Sequence, residues 1–240
     1  MGNYRKVFAS LVLLSAGVFT FVACDMESDP IPFNAGMDVV VQDIKTDAGI
    51  KYSIVVYASA NIEIKSAKVT APGAGGKVYQ LTAASNSLQF VYKPQTADYT
   101  TEMPAAGDYT FEIISKTDEK ITGKDVVGAE KLTPIVIKTT TMTSHLLKTT
   151  WDKIPTADAY VVRLYSANKA EMLFASNLLI DKAEYEFGAN TTGWAFGKSP
   201  SLNTDYIVEL LGVKVETGVT IDKWSNLQFL TLDSKTIKWE

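Results

Sequence analysis

The sequence predicts an all-β protein made of two antiparallel β-sandwich domains in tandem. Apolar residues alternate with polar ones through short runs, as at 50–58 and 109–113, which is typical of strands with one buried face. Turns rich in Gly and Pro separate the runs, as at 72–76 and 104–108. No stretch carries a convincing helical pattern, so the composition favours sheets throughout the body of the chain.

An apolar segment at residues 7–24 precedes this body. Arg5 and Lys6 stand before it, and a dense acidic run follows it. A basic start, an apolar middle and a small residue before the cut are the features of a secretory signal peptide. The segment is slightly short for a stable span of about 20 residues. We therefore expect an exported protein whose leader, residues 1–23, is removed.

Cys24 is the only cysteine of the chain and lies at the end of the apolar segment. An ordinary signal peptidase needs small residues at positions 21 and 23, and Phe21 is not small. Residues 21–24 resemble a bacterial lipobox, which implies that Cys24 becomes the lipidated first residue of the mature protein. Each buried CH₂ contributes about 0.8 kcal/mol, so two or three acyl chains would hold the protein on a membrane. The alternatives are a plain signal peptide or a retained anchor helix with an incidental cysteine.

Residues 24–36 are acidic and contain Pro30, Pro32 and Gly36, which predicts a flexible tether. An acidic stretch after a lipidated cysteine resembles the tether of surface-exposed lipoproteins in Bacteroidetes-type bacteria. The resemblance implies an outer-membrane lipoprotein that carries fatty acid such as palmitate and faces the cell surface. A periplasm-facing location is the alternative.

The charge balance argues against nucleic acid as a partner. Removal of the leader takes away Arg5 and Lys6 and no acid, which changes the formal net charge from −4 to −6. Arg163 is then the only arginine, so no arginine cluster for phosphate exists. With a single cysteine, no disulfide forms within the chain, and each domain must depend on its hydrophobic core.

The first domain is predicted at 37–130, and a polar seam that ends in Pro134 separates it from the second domain at 135–240. Residues 106–113 resemble the turn and strand F of bacterial immunoglobulin-like modules. In those modules a tyrosine, here Tyr109, commonly binds back onto the preceding turn.

The second domain resembles a fibronectin type III domain over roughly residues 135–235. In residues 150–164, which resemble the region of strands B and C, a tryptophan packs under the sandwich, a proline fixes the turn and three alternating residues point inward. A last strand is expected at 227–231, followed by a hairpin into Ile237 and Trp239. The residues that carry the resemblance are Trp151, Pro155, Tyr160, Val162, Leu164, Tyr185, Phe187 and residues 202–210. The resemblance implies a fold and not an activity.

No motif predicts catalysis, a cofactor or a metal site. His145 is the only histidine, and it lacks the second histidine or cysteine that a zinc site needs. Glu184 and Glu186 alternate with aromatic residues, which predicts a solvated strand face for them rather than a glycosidase pair. Asp152, Asp158 and Asp205 lack the spacing of a calcium loop.

The remaining candidates for binding are aromatic residues in predicted loops: Trp194, Phe196, Trp224 and Tyr99. Aromatic rings on loops serve as stacking platforms for sugars, although the same rings also close the open ends of a sandwich. Three hypotheses follow. The first is a non-catalytic binding or adhesion module for a glycan or an envelope protein, similar to accessory lipoproteins that Bacteroidetes use in glycan capture. The second is a spacer or assembly subunit that pairs through sheet edges, and the third, less favoured, is a glycan hydrolase.

Overall fold

A computed structural model describes residues 31–84, 86–221 and 226–240. The predicted leader and Cys24 lie outside this part of the chain. Phe33–Glu240 forms one compact unit. Among the described residues, no helix has the length and hydropathy to cross a membrane.

The described residues form fourteen β-strands and one short 3-10 turn at Thr96–Asp98. The strands are β1 Ala35–Thr46, β2 Gly49–Ala60, β3 Ile64–Thr70, β4 Val78–Ala83, β5 Gln89–Tyr92, β6 Gly107–Ser115, β7 Lys120–Val127, β8 Ile137–Thr143, β9 Leu146–Trp151, β10 Ala159–Ser166, β11 Met172–Ala175, β12 Glu184–Gly188, β13 Thr204–Val215 and β14 Leu227–Trp239. The prediction of an all-β fold is confirmed. The first strand begins at Ala35, after a buried Phe33, and so within the stretch predicted as tether.

The strands form an eleven-stranded sheet and a three-stranded sheet. The large sheet has the order β11-β10-β13-β14-β1-β2-β5-β4-β3-β6-β7, and the small one has the order β12-β9-β8. The strand pairs are antiparallel except β1 with β14, which run parallel. Because β1 precedes the predicted domain seam and β14 follows it, the large sheet continues from one half of the chain to the other. The predicted boundary falls in the connection from β7 to β8, where Leu132 and Ile135 are buried.

The main core lies between sheet faces and contains apolar residues from both halves. The alternation predicted at 109–113 is confirmed, since Tyr109, Phe111 and Ile113 are buried while Thr110 is exposed. A second, smaller core covers the opposite face of the middle strands. Its buried members are Val40, Val161, Leu211, Val213, Val215, Leu227 and Leu230. Strands between two cores are buried on both faces, which explains the nearly continuous apolar run of β13.

The part that resembles a fibronectin type III domain is built as predicted at its first strands. Trp151 is buried with its ring 5.4 Å from that of Tyr160. Val162 and Leu164 point into the same core. The Tyr160 hydroxyl accepts a hydrogen bond from the backbone N–H of Ile154 at 2.6 Å, which fixes the turn between β9 and β10.

Two features near the end of the chain complete this half. The hydroxyl of Tyr206 accepts the backbone N–H of Ser201 at 2.8 Å, as in the tyrosine corner of such sandwiches. The expected hairpin before Trp239 is wrong, because β14 continues as a single strand of 13 residues to Trp239. It continues as one strand because it pairs with β13 from Leu227 to Trp239, with one register shift near its start.

Candidate functional site

A cavity with a volume of about 530 Å³ lies over one face of β1, β2 and β5. We call it the junction cavity, because Leu227 at the start of β14 forms one of its walls. Its lining residues are Gly36, Met37, Asp38, Tyr57, Ala58, Ser59, Ala84, Gln89, Phe90, Val91, Lys93, Asn226 and Leu227. Pockets that hold small ligands have volumes of about 300–1,000 Å³, so the size suits a ligand of a few rings.

The cavity results from the register of three strands. Residues directly opposite each other in antiparallel strands share a face of the sheet. Gly36 lies opposite Ser59, and Ser59 lies opposite Gln89, which gives one row across β1, β2 and β5. Because Gly36 and Ser59 have almost no side chain, this row leaves space beside the larger side chains of the next row.

The next row contains the polar and aromatic groups of the wall. Asp38 lies opposite Tyr57, and Tyr57 lies opposite Val91. Tyr57 is 42% exposed and lines the cavity, so part of its side chain is accessible from the cavity. Burial raises the pKa of the Tyr57 hydroxyl, and the Arg163 guanidinium opposes that shift. The hydroxyl is therefore neutral at physiological pH and can donate a hydrogen bond.

Three carboxylates meet behind this wall. Oxygens of Asp38, Asp125 and Glu216 lie within 4.8 Å of one another, and this is the one such group of acidic, histidine or cysteine side chains in the described ranges. Burial raises the pKa of Asp38 to about 7. Burial and the charge of Asp125 also raise the pKa of Glu216. Asp38 is therefore partly protonated at neutral pH.

Two of these carboxylates, Asp125 and Asp38, accept hydrogen bonds from backbone N–H groups. Asp125 accepts the N–H of Val39 at 2.6 Å with one oxygen and the N–H of Val126 at 2.9 Å with the other. Asp38 accepts the N–H of Leu227 at 3.2 Å through Oδ2. Three carboxylates would suit a hard cation such as Ca²⁺, but Asp38 and Asp125 already bind backbone N–H groups of neighbouring strands, and we do not assign the cluster as a metal site.

The position of Asp38 raises the question of whether it could act as a general acid in hydrolysis. Asp38 lines the cavity and has a raised pKa, which is what a general acid needs. However, its Oδ1 atom is inaccessible to solvent and Oδ2 accepts the Leu227 N–H. A general acid must lie within hydrogen-bond reach of the atom it protonates. In this arrangement Asp38 has no oxygen free to reach a substrate.

Trp194, predicted as a candidate platform, is half-buried in an aromatic cluster. Its ring centroid lies 5.1 Å from that of Phe174 and 6.0 Å from that of Trp239. Its indole Nε1–H donates to the carbonyl of Gly188 at 3.1 Å. These contacts are those expected of a ring that closes one end of the sandwich.

The other predicted aromatics have different surroundings. Phe196 is fully exposed, at 104% of its reference area, and is two residues from Trp194. Trp224 lies outside the described residues. Tyr99 is half-buried, and its hydroxyl accepts a hydrogen bond from Gln42 Nε2 at 2.6 Å. Burial raises the pKa of Tyr99 to about 12. Trp194 and Tyr99 contact different strands, so the structure does not join them in one site.

The sequence did not predict the junction cavity or its residues Asp38 and Tyr57. One signal was present, because Val55 and Tyr57 are apolar or aromatic residues on the strand face that alternation predicts to be outward. Apolar residues on both faces of β2 indicate that each face has a covering or a ligand. The row of small residues beside Tyr57 depends on strand pairing, which alternation does not specify.

Comparisons with known proteins identify no family. No family model matches the sequence, and no curated protein matches it. Among solved structures, a segment of two fibronectin type III domains from chicken tenascin is 13% identical over 77% of this chain and 91% of that one, with a TM-score of 0.29. The BSP domain of a biofilm-associated protein is 15% identical over 77% of this chain and 27% of that one, with a TM-score of 0.25. At these scores the likenesses carry no argument about function.

Proposed function

We propose that this chain is an exported, lipid-anchored protein of the bacterial cell envelope that binds a glycan without converting it. The junction cavity is the observation that carries the binding part of the proposal. The leader and Cys24 support the proposed location in the cell envelope, because the apolar segment ends at the only cysteine of the chain. In this proposal the acyl groups hold the protein on the outer membrane and the β-sandwich body displays the cavity.

The cavity offers the groups that a sugar needs. A pyranose ring has an apolar face that stacks on an aromatic ring and hydroxyls that form hydrogen bonds at its edge. Tyr57 supplies the ring, with its hydroxyl as a donor. Ser59, Gln89 and Lys93 supply further donors and acceptors along the rim, and each of them is exposed. A protein ligand that presents a polar loop is the second ligand class compatible with this lining.

The acid groups of the cavity support binding without conversion. Asp38 is the acidic residue of its lining, and its oxygens are buried or bonded to the backbone. Hydrolysis of a glycoside generally needs two carboxyl groups that flank the scissile bond. Asp125 and Glu216 lie behind Asp38 rather than across the cavity from it, since neither lines the cavity.

A spacer that assembles through the edges of the large sheet has less support. The outer edge of β11 is covered, because the Ala175 N–H donates to the Gly193 carbonyl at 3.0 Å and the Ala195 N–H donates to the Leu173 carbonyl at 2.9 Å. At the other end of the sheet, β7 packs against β1 and Asp125 binds the Val39 N–H. Strand addition requires unpaired backbone groups at an edge.

Binding should be measured with the full chain, purified in detergent, against a panel of neutral and acidic polysaccharides. A glycan that binds the wild type should bind Tyr57→Ala about 5- to 30-fold more weakly, because one stacked ring contributes about 1–2 kcal/mol. Phe196→Ala is the matched control, since it removes an exposed ring of the predicted loop site. Loss of binding in Phe196→Ala with full binding by Tyr57→Ala would place the site in the loop and refute the proposal.

The anchor needs its own test, because the binding assay does not report on it. Radiolabelled palmitate should be incorporated into the wild-type chain and not into Cys24→Ala, and the variant should leave the membrane fraction. Label in both chains, or in neither, would contradict lipidation at Cys24.

A further inference from the structure

The two halves of the large sheet meet at a very short parallel ladder. Strands β1 and β14 pair through two residue pairs, Val41 with Phe229 and Gln42 with Leu230. Beyond each end of the ladder, the side chain of an aspartate in β1 accepts a hydrogen bond from the backbone of β14. Asp38 Oδ2 accepts the N–H of Leu227 at 3.2 Å, and Asp43 Oδ1 accepts the N–H of Leu232 at 3.3 Å.

Asp43 lies in the main core of the protein. It is 1% exposed, and its Oδ2 atom makes no hydrogen bond with any described residue. The groups that face it are the hydroxyl of Thr231 from β14, the hydroxyl of Tyr99 and its cross-strand neighbour Tyr52. None of these groups carries a positive charge, and Asp43 is absent from the ion pairs of the described residues.

Asp38 lies between the junction cavity and the acidic cluster. Asp125 of β7 and Glu216 of the β13–β14 connection face it with further carboxylates, and Tyr57 of β2 faces it with a hydroxyl. Lys93 is the cation of the same cavity lining, and no ion pair joins it to Asp38. The Oδ1 atom of Asp38 is buried without a hydrogen-bond partner among the described residues.

An ionised carboxylate in either place is costly. Its charge has lost water, and neither an opposite charge nor a full set of donors replaces that water. A neutral carboxyl group can still accept the β14 N–H through its carbonyl oxygen. Burial therefore raises the pKa of Asp38 to about 7 and that of Asp43 to about 6, from an ordinary value of 3.8. The hydrogen bonds from Leu227, Leu232 and Thr231 lower these pKa values, but the effect of burial is larger.

We propose that the β1–β14 junction is a proton-dependent clamp, closed when Asp38 and Asp43 are protonated and loosened when they ionise. Because both pKa values are raised in the folded state, the stabilisation is fully present below about pH 3.8 and decreases as the pH rises through about 6 for Asp43 and about 7 for Asp38. The junction is therefore tighter in mildly acidic than in alkaline surroundings. The clamp does not depend on a ligand in the cavity.

Hydrogen exchange at the two clamped amides tests the clamp in the full chain. Protection factors of Leu227 and Leu232, corrected for the pH dependence of intrinsic exchange, should be measured from pH 4 to pH 8.5. At Leu232 the protection of the wild type should fall by up to about a hundredfold, since a pKa difference of about two units corresponds to that factor. Protection that does not change with pH would overturn the proposal.

Variants separate titration from loss of a contact. Asp43→Asn keeps an oxygen for the Leu232 N–H and cannot ionise, so it should retain protection at alkaline pH and show no pH dependence at this amide. Asp158→Asn is the matched control, because Asp158 also accepts a strand N–H, that of Val215 at 2.8 Å, whereas the Leu232 N–H donates to Asp43. It should keep the wild-type pH dependence at Leu232. An Asp43→Asn chain with lower protection at every pH and an unchanged slope would contradict the clamp.

A cation provides a further arm. Added Ca²⁺ should leave the protection of Leu227 unchanged at pH 7.5. A large increase in that protection would show that Asp38 and its neighbours are ionised and bind a metal, and it would overturn a clamp held by protons.

Discussion

Replacement of Trp194 tests whether its ring stabilises the sandwich or serves as a binding platform for a ligand. The substitution Trp194→Ala removes contacts with Phe174, Phe187 and Trp239 and the hydrogen bond to the Gly188 carbonyl. A fully buried tryptophan contributes about 3–5 kcal/mol over alanine. Because Trp194 is half-buried, we expect about 2 kcal/mol from packing and about 1 kcal/mol from the hydrogen bond.

The assay is urea and thermal unfolding followed by circular dichroism. A loss of about 3 kcal/mol corresponds to a decrease in Tm of roughly 6–12 °C for a chain of this size. Trp194→Phe should lose only about 1 kcal/mol, because it keeps a ring in the cluster but not the indole N–H. Phe196→Ala, a nearby change at a fully exposed ring, should alter stability by less than about 0.5 kcal/mol. If Trp194→Ala unfolded within that margin of the wild type, the ring would not support the sandwich and a ligand platform would become the better interpretation.

Three further predictions concern the corner, the buried acid and the chemistry. Tyr206→Phe removes the hydrogen bond from the Ser201 N–H and should lower the free energy of unfolding by about 1 kcal/mol in urea titrations, and an unchanged value would contradict the corner. The free energy of unfolding of Asp43→Asn, relative to that of the wild type, should increase by roughly 3 kcal/mol between pH 3.5 and pH 7.5. The wild type becomes less stable over this range because its buried Asp43 carboxyl ionises, whereas asparagine does not titrate. A constant difference would contradict the raised pKa of Asp43. A glycan that binds should release no new reducing ends on prolonged incubation, and release that stops in Asp38→Asn would indicate a hydrolase.

Alternation predicted strands best where one face is buried and the other is wet. Strand β6 follows this pattern, and its core residues, among them Tyr109 and Phe111, are buried as expected. The end of the chain was harder, because β13 and β14 lie between two cores and lose the alternation. A continuous apolar run does not show where a strand ends, and the hairpin expected before Trp239 is instead part of β14.

The candidate site depended on contacts that are distant in the chain. Asp38 and Leu227 are 189 residues apart, and no local pattern predicts that a parallel pair would bring them together. Read along the chain, Asp38 and Asp43 look like ordinary polar positions of a strand. Aromatic residues in loops could be found from sequence, yet the structure gives Trp194 a supporting contact and leaves Phe196 in solvent. The open ring of the cavity, Tyr57, lies on a strand.

A cavity-filling variant tests most directly whether the junction cavity is the ligand site. Ser59→Trp places a large ring in the row beside Tyr57, where Gly36 and Ser59 leave the space. Thr110→Trp adds the same ring at an exposed position of β6, outside the cavity. With the glycan identified by the panel, calorimetry should show full binding by Thr110→Trp and none by Ser59→Trp. Equal affinity in the two variants would contradict the account, because the ligand would then bind elsewhere on the protein.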